Sequence, residues 1–282
     1  MRWSPGGRSE DVEDRRSEGG GRSFGGARLG IGGFLVLLVL SIVFKRDFFS
    51  LLGGGSVGTG TSVSQPDPAR DAKEEPEVEF VSFVLDDAQK TWQSILSQQG
   101  VSYPHAKLVL FRDMIDSGCG TAESASGPFY CPADQRVYID LGFYDELKQR
   151  FGAHGQFAQA YVLAHEIGHH VQHVLGIDRR LRASQGQNPG EVNALSVRME
   201  LQADCLAGVW GHSTEQRNLL EAGDVEQGLA AAAAVGDDRI QRMSGRAVNP
   251  ESFTHGSSEQ RVGWFKRGFN SGTIQSCDTF GQ

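Results

Sequence analysis

Cysteine is scarce. Four in 282 residues cannot staple a small scaffold, and no C-x-x-C pair is present to form a thiolate metal site. Positive charge is in deficit too: 27 Lys and Arg stand against 35 Asp and Glu, a formal charge of −8. The chain therefore lacks the basic face that phosphate backbones demand, and no nucleic-acid partner is expected. No period recurs along its length, which excludes solenoids and collagen-like rods. Long apolar runs are rare; residues 29–44, LGIGGFLVLLVLSIVF, form the one that stays uncharged for sixteen positions. What is abundant is glycine, 37 residues with 15 of them in the first 60 positions, so the opening fifth is not ordinary core.

Charge and glycine divide the chain into four parts. Residues 1–28 carry Arg2, Arg8, Arg15, Arg16, Arg22 and Arg28 among acidic residues and glycines, with too few apolar side chains for a core, and read as a disordered cytoplasmic tail. Residues 29–46 read as a single transmembrane anchor. The apolar run is near the lower limit of roughly 17 residues for a span, and Lys45 and Arg46 can snorkel. A cleaved signal peptide is the alternative, but no small-x-small cleavage site follows. Six arginines precede the run and two basic residues follow it, so the N-terminus is expected in the cytoplasm and the remainder outside it. Residues 47–78, rich in Gly, Ser, Pro and Glu, read as a flexible linker, which leaves 79–282 as the folded domain.

That domain reads as helix-rich α+β. Helices are expected over 86–99, 156–175, 191–210, 215–235 and 258–269, with Gly176 ending the second and Ser257 capping the last. Residues 107–112 and 136–141 read as strands, the latter a candidate to pair with an extended peptide, and 118–133 as a loop.

The chemistry concentrates in residues 158–173, AQAYVLAHEIGHHVQH. His165 and His169 are i and i+4, so on a helix both imidazoles face one metal ion. Glu166 stands beside the first histidine, placed to take a proton from a water that the metal activates. The apolar residues 161–164 suit a buried, metal-bearing helix, and Gly168 there implies a close neighbour. A catalytic zinc needs a third protein ligand and an open position. The extension H-x-x-G-x-x-H is absent, since Gln172 and Leu175 stand where its Gly and His would be. Residues 198–207, RMELQADCLA, offer Glu200 and Asp204 on one helical face: Glu200, with the longer reach, as third ligand, and Asp204 as hydrogen-bond acceptor for a liganding imidazole.

H-E-x-x-H followed by E-x-x-A-D on a later helix resembles gluzincin metallopeptidases, distantly the HtpX-like membrane proteases. The opening MRW, VEDRR, AHEIGHHVQ, ELQADCLAG and THGSSEQRVGWF are more closely similar to the bacterial neutral zinc metallopeptidase family. The resemblance implies a zincin-like fold, bound Zn2+, Glu200 as third ligand and a peptide or protein substrate. It also likens residues 252–262, SFTHGSSEQRV, to a segment that HtpX-like proteases place over their zinc, with Gly256 in place of proline. His255 is then a candidate oxyanion donor, a plain helix-capping loop being the alternative, and Arg261 a candidate to orient Asp204 or the loop, a surface arginine being the alternative.

Three cysteine pairings are possible. Cys119 and Cys131 bracket eleven residues, a natural disulfide span in an oxidising compartment, which leaves Cys205 with Cys277; a reduced, buried Cys205 is the alternative. The expected function is a membrane-anchored zinc metalloendopeptidase with Glu166 as general base. Its rival is a non-enzymatic or latent exported module that keeps zinc structurally or for a partner.

Overall fold

The computed structural model describes residues 1–17, 67–123, 127–187 and 189–281. Two short runs that are buried on both faces set the sheet. Strand β2 (Lys107–Phe111) and strand β6 (Arg136–Asp140) are buried at every position but the first, as central parallel strands require. They pair in parallel, Leu108 opposite Val137 and Leu110 opposite Ile139. Strand β1 (Val12–Asp14) adds in parallel to β2, and β5 (Phe129–Cys131) adds antiparallel to β6, giving the order β1-β2-β6-β5. Strand β6 is thus flanked by β2 along its length and by β5 over Arg136–Tyr138, which leaves little of it for the expected docking of a peptide; β5 is the edge strand on that side. The expected loop at 118–133 holds more structure than its composition shows. Strands β3 (Met114–Ser117) and β4 (Gly120–Glu123) make a separate hairpin, and the Cys119–Cys131 disulfide ties its turn to β5.

Eight α-helices follow from the apolar stripes among the described residues: α1 (Pro68–Ser97), α2 (Gly142–Gln149), α3 (Gln156–Val174), α4 (Ile177–Gln187), α5 (Val192–Gln216), α6 (Asp224–Ala234), α7 (Asp237–Met243) and α8 (Ser258–Ser271). Helix α3 is buried almost all round and packs on α1, α5 and α6. Gly168 lets α5 approach: a Cβ there would meet the Ala203 carbonyl at 3.0 Å and its Cα at 3.2 Å. Helix α8 opens with the expected Ser257 cap, a full capping box with Gln260, and lies along α5. A second disulfide, Cys205–Cys277, joins α5 to the closing 3-10 turn Ile274–Cys277, so both expected pairs are bonded. The helix expected at 215–235 splits in two, because α5 runs on to Gln216 and the chain turns at Asn218 and Gly223, both at positive φ.

The N-terminal expectations need correction. Residues 1–17 are not a disordered tail. Besides forming β1, they bury Met1, whose amine lies 2.9 Å from Asp224 Oδ2 and 3.0 Å from Glu221 Oε2, and set Trp3 edge-on against Phe80. Arg16 is 3% exposed and binds Asp14 at 2.8 Å and Glu74 at 2.9 Å; Arg112 binds the same Glu74 at 2.6 Å. Hydrophobic patterning is nearly silent here because ion pairs, with a few apolar contacts from Met1, Trp3 and Val12, hold the segment. Glu74 and Phe80 sit on α1, which begins inside the expected linker. Asp67 caps it by accepting from Arg70 N, Pro68 suits its first turn, and Pro76 is accommodated within it, so 67–78 belong to the fold.

The expected anchor at 29–46 lies outside the described residues, as do 18–28 and 47–66. Among the described residues no helix is long and apolar enough to cross a membrane. The flanks do bear on topology. The described residues on both sides of that stretch, 1–17 and 67–281, belong to one folded unit.

Two outcomes follow. Reporters fused at the N- and C-termini should mark the same compartment. Arg16→Met, which removes one of the cationic partners of half-buried Asp14 and Glu74 and leaves Arg8 and Arg112 in place, should cost about 1–2 kcal/mol in urea denaturation at neutral pH. Arg16 hydrogen bonding holds the Asp14 carboxyl down at about 2, so that contribution exists above pH ~4 and is lost as pH falls toward 2; the variant should show a flatter acid limb.

Candidate metal centre

Burial of residues 160–164 fixes the rotation of α3, and that rotation aims His165 and His169 at α5. Their rings stand perpendicular with centroids 4.8 Å apart. The close approach at Gly168 and Ala203 carries Glu200 between them: its carboxylate oxygens lie 3.2 Å from His165 Nε2 and 3.5 Å from His169 Nε2. Two ligands about 2.1 Å from a tetrahedral zinc stand about 3.4 Å apart, so this spacing fits the ion. The three candidate ligand atoms lie within 4.8 Å of one another, and no fourth His, Cys, Asp or Glu joins them among the described residues. His165, His169 and Glu200 are thus brought together as expected.

The second ring nitrogens are also occupied, as a liganding imidazole requires. His165 Nδ1 is 2.9 Å from Asp204 Oδ1. Asp204 is fully buried and gripped from the other side: Arg261 Nε donates to Oδ2 at 2.8 Å, Arg261 Nη2 to Oδ1 at 2.9 Å, and the Tyr161 hydroxyl to Oδ1. Of the two roles open to Arg261, it takes the first and orients Asp204. His169 Nδ1 is 2.8 Å from Gln172 Oε1. Both Nε2 atoms are left facing Glu200.

The electrostatics call for a cation. Burial alone would push the His165 ring down, yet Asp204 and Glu200 reverse it and hold the ring up at about 10. His169 is raised against its own burial, chiefly by Glu200. The Glu200 carboxyl is held well below its usual range, burial being outweighed by the two imidazoles. A divalent ion at the two Nε2 atoms would supply the positive charge that these shifts favour. Glu166, beside the first ligand and 7% exposed, has no hydrogen-bond partner among the described residues and does not point its carboxylate into an ion pair.

His255 sits on a loop clamped by a residue that sequence reasoning missed. Asp237 Oδ2 accepts from the backbone N–H of Thr254 at 2.7 Å, His255 at 2.7 Å and Gly256 at 3.0 Å, and its Oδ1 lies 3.1 Å from His255 Nδ1. The contact spans 18 residues, beyond any local motif. Gly256 takes φ +95, and its Cα side faces Leu201 and Val197, with a Cβ there 3.2 and 3.3 Å from them. The loop thus rests on the turn of α5 that carries Glu200, and glycine rather than proline suits that backbone. Asp237 hydrogen bonding raises the His255 ring, with Glu200 adding to it.

His170, His173 and His212 have structural partners instead. His170 is fully buried, with Nε2 2.7 Å from the Pro104 carbonyl and Nδ1 2.9 Å from the Tyr130 hydroxyl; burial lowers it to about 4. His173 pairs with Asp178 at 2.8 Å, and His212 Nδ1 meets the Phe269 carbonyl at 2.7 Å.

Two imidazoles one turn apart, a glutamate from a later helix and a buried Glu166 next in sequence to the first imidazole are the set expected of a zinc metallopeptidase. Comparison with known proteins makes this specific. Residues 1–280 match the family described as "Putative neutral zinc metallopeptidase", and the chain belongs to that family. It is 50% identical over 288 residues to "Uncharacterized protein YpfJ" of Escherichia coli strain K12, covering all of this chain and 99% of that protein. It is 44% identical over 200 residues to "Uncharacterized protein Mb2605" of Mycobacterium bovis, covering 67% of this chain and 66% of that one. No solved structure matches the chain. The family implies Zn2+, and the donor set fits it.

Metal content after dialysis should separate the roles. Glu200→Ala is expected to lose the ion, because two imidazoles make an incomplete site. Asp204→Asn should keep it with affinity lowered about 10–100-fold.

Proposed function

We propose that the protein is a zinc-dependent endopeptidase of an exported, oxidising compartment. The observation that carries this is the pairing of a three-ligand site with an unengaged, buried Glu166 beside it. A structural zinc is normally closed by four protein ligands. Family membership and the two disulfides point the same way, the one to a peptide substrate and the other to export. The mixed sheet with an antiparallel edge strand, set against the metal-bearing helix, is consistent with a zincin-like fold.

When bound, zinc supplies a Lewis acid and lowers the pKa of water at the open position. The chain's own groups do the rest. Glu166 accepts the proton of the attacking water and delivers it to the leaving amine. His165 is held in one tautomer by Asp204, which Arg261 keeps ionised and fixed. His255, set by Asp237 over the Glu200 turn, donates a hydrogen bond to the carbonyl oxygen as negative charge develops there.

Glu166→Gln should retain one zinc per chain while abolishing metal-dependent cleavage of a peptide library. His255→Phe should also retain zinc and slow cleavage by roughly 10²–10³. Loss of zinc from Glu166→Gln, or cleavage that survives in it, would contradict the assignment.

A further inference from the structure

His169 gets its outer partner from a side-chain amide, and an amide can present either end. The surroundings decide which. Gln172 Nε2 lies 2.8 Å from the backbone carbonyl of Met199, a group that can only accept, and 3.0 Å from Gln202 Oε1. Gln202 Nε2 in turn lies 2.9 Å from the carbonyl of Cys277, again an acceptor only. Two backbone carbonyls thereby fix the polarity of the whole relay. Both amide nitrogens must donate outward, Gln172 Oε1 must face the imidazole, and His169 must carry its proton on Nδ1. Its Nε2 is then the nitrogen turned toward Glu200 and the metal position, the one that a metal ion would take. The two amides are 0% and 6% exposed, so a flipped orientation would set like atoms face to face in a largely buried place.

The far end of the relay is pinned. Cys277 is bonded to Cys205, which lies on α5 three residues beyond Gln202. Thr279 Oγ1 adds a hydrogen bond to the Arg198 carbonyl at 2.8 Å. The carbonyl that orients Gln202 is therefore cross-linked to the helix that carries both Gln202 and the third ligand.

We propose that Gln172 and Gln202 are positioning residues for the metal ligand His169, and that the Cys205–Cys277 bridge holds the relay in register, so that the bridged chain binds zinc more tightly than the chain without the bridge. This rests on the zinc reading of His165, His169 and Glu200 but not on hydrolysis.

The test is the zinc dissociation constant of the full chain, measured by competition with a chromophoric chelator, together with the visible absorption of bound Co2+. Gln172→Leu and Gln202→Leu keep the volume and remove the polar ends; each should weaken zinc about 10–100-fold and alter the Co2+ spectrum. The double variant Cys205→Ser, Cys277→Ser should weaken zinc in the same direction. Removing the other bridge, by Cys119→Ser with Cys131→Ser, should leave affinity unchanged. Thermal melts of the metal-free variants check folding, and if the first serine pair does not fold, the glutamine variants, which keep both bridges, decide the matter. Folded Gln172→Leu and Gln202→Leu with the zinc affinity and Co2+ spectrum of the unmodified chain would overturn the relay. Equal weakening by both serine pairs would overturn the part given to the bridge. Failure of the unmodified chain to bind one zinc would instead overturn the metal site.

Discussion

Two carboxylates one helical turn apart on α5, Glu200 and Asp204, face two imidazoles one turn apart on α3, and the rest of the fold makes that meeting tolerable. Burying one carboxylate without a partner is costly, and burying two side by side is worse. Asp204 is neutralised from behind by Arg261, which is 4% exposed and comes from α8. Among the described residues Glu200 meets the two imidazoles, whose rings it raises, and a divalent cation suits the place. The α3–α5 crossing at Gly168, the α5–α8 packing and the cross-link at Cys205 all keep these charges in one arrangement.

The two ligand imidazoles are oriented differently. His165 leans on a carboxylate backed by an arginine, a charged support that raises the basicity of the ring. His169 leans on a neutral amide whose direction is dictated by backbone carbonyls two steps away. One histidine is thus tuned by charge and the other by geometry, and the net charge around the metal stays lower than two carboxylate supports would make it.

Sequence reasoning reached the site where local spacing encodes it. His165, Glu166 and His169 follow from i, i+4 periodicity, and Glu200 with Asp204 from the same periodicity on the next long amphipathic helix. Arg261 was visible only as one of two roles, because a 57-residue separation leaves no local signature. Asp237 and Gln202 were missed for the same reason: each acts on backbone groups brought near by tertiary packing. Strands β2 and β6 and helices α3 and α8 were legible because buried runs, a positive-φ Gly176 and the Ser257 capping box are local signals. The N-terminal segment was not. Its attachment depends on Arg8, Arg16 and the Met1 amine meeting acidic partners more than fifty positions away, and low hydrophobicity there looked like disorder.

The most direct measurement is anomalous diffraction from crystals of the zinc-loaded chain, recorded on both sides of the zinc absorption edge. A single peak is expected about 2.0–2.2 Å from His165 Nε2, His169 Nε2 and a Glu200 carboxylate oxygen, with a non-protein ligand in the fourth position beside Glu166. A peak elsewhere, or a fourth protein side chain closing the shell, would contradict a catalytic site at this place.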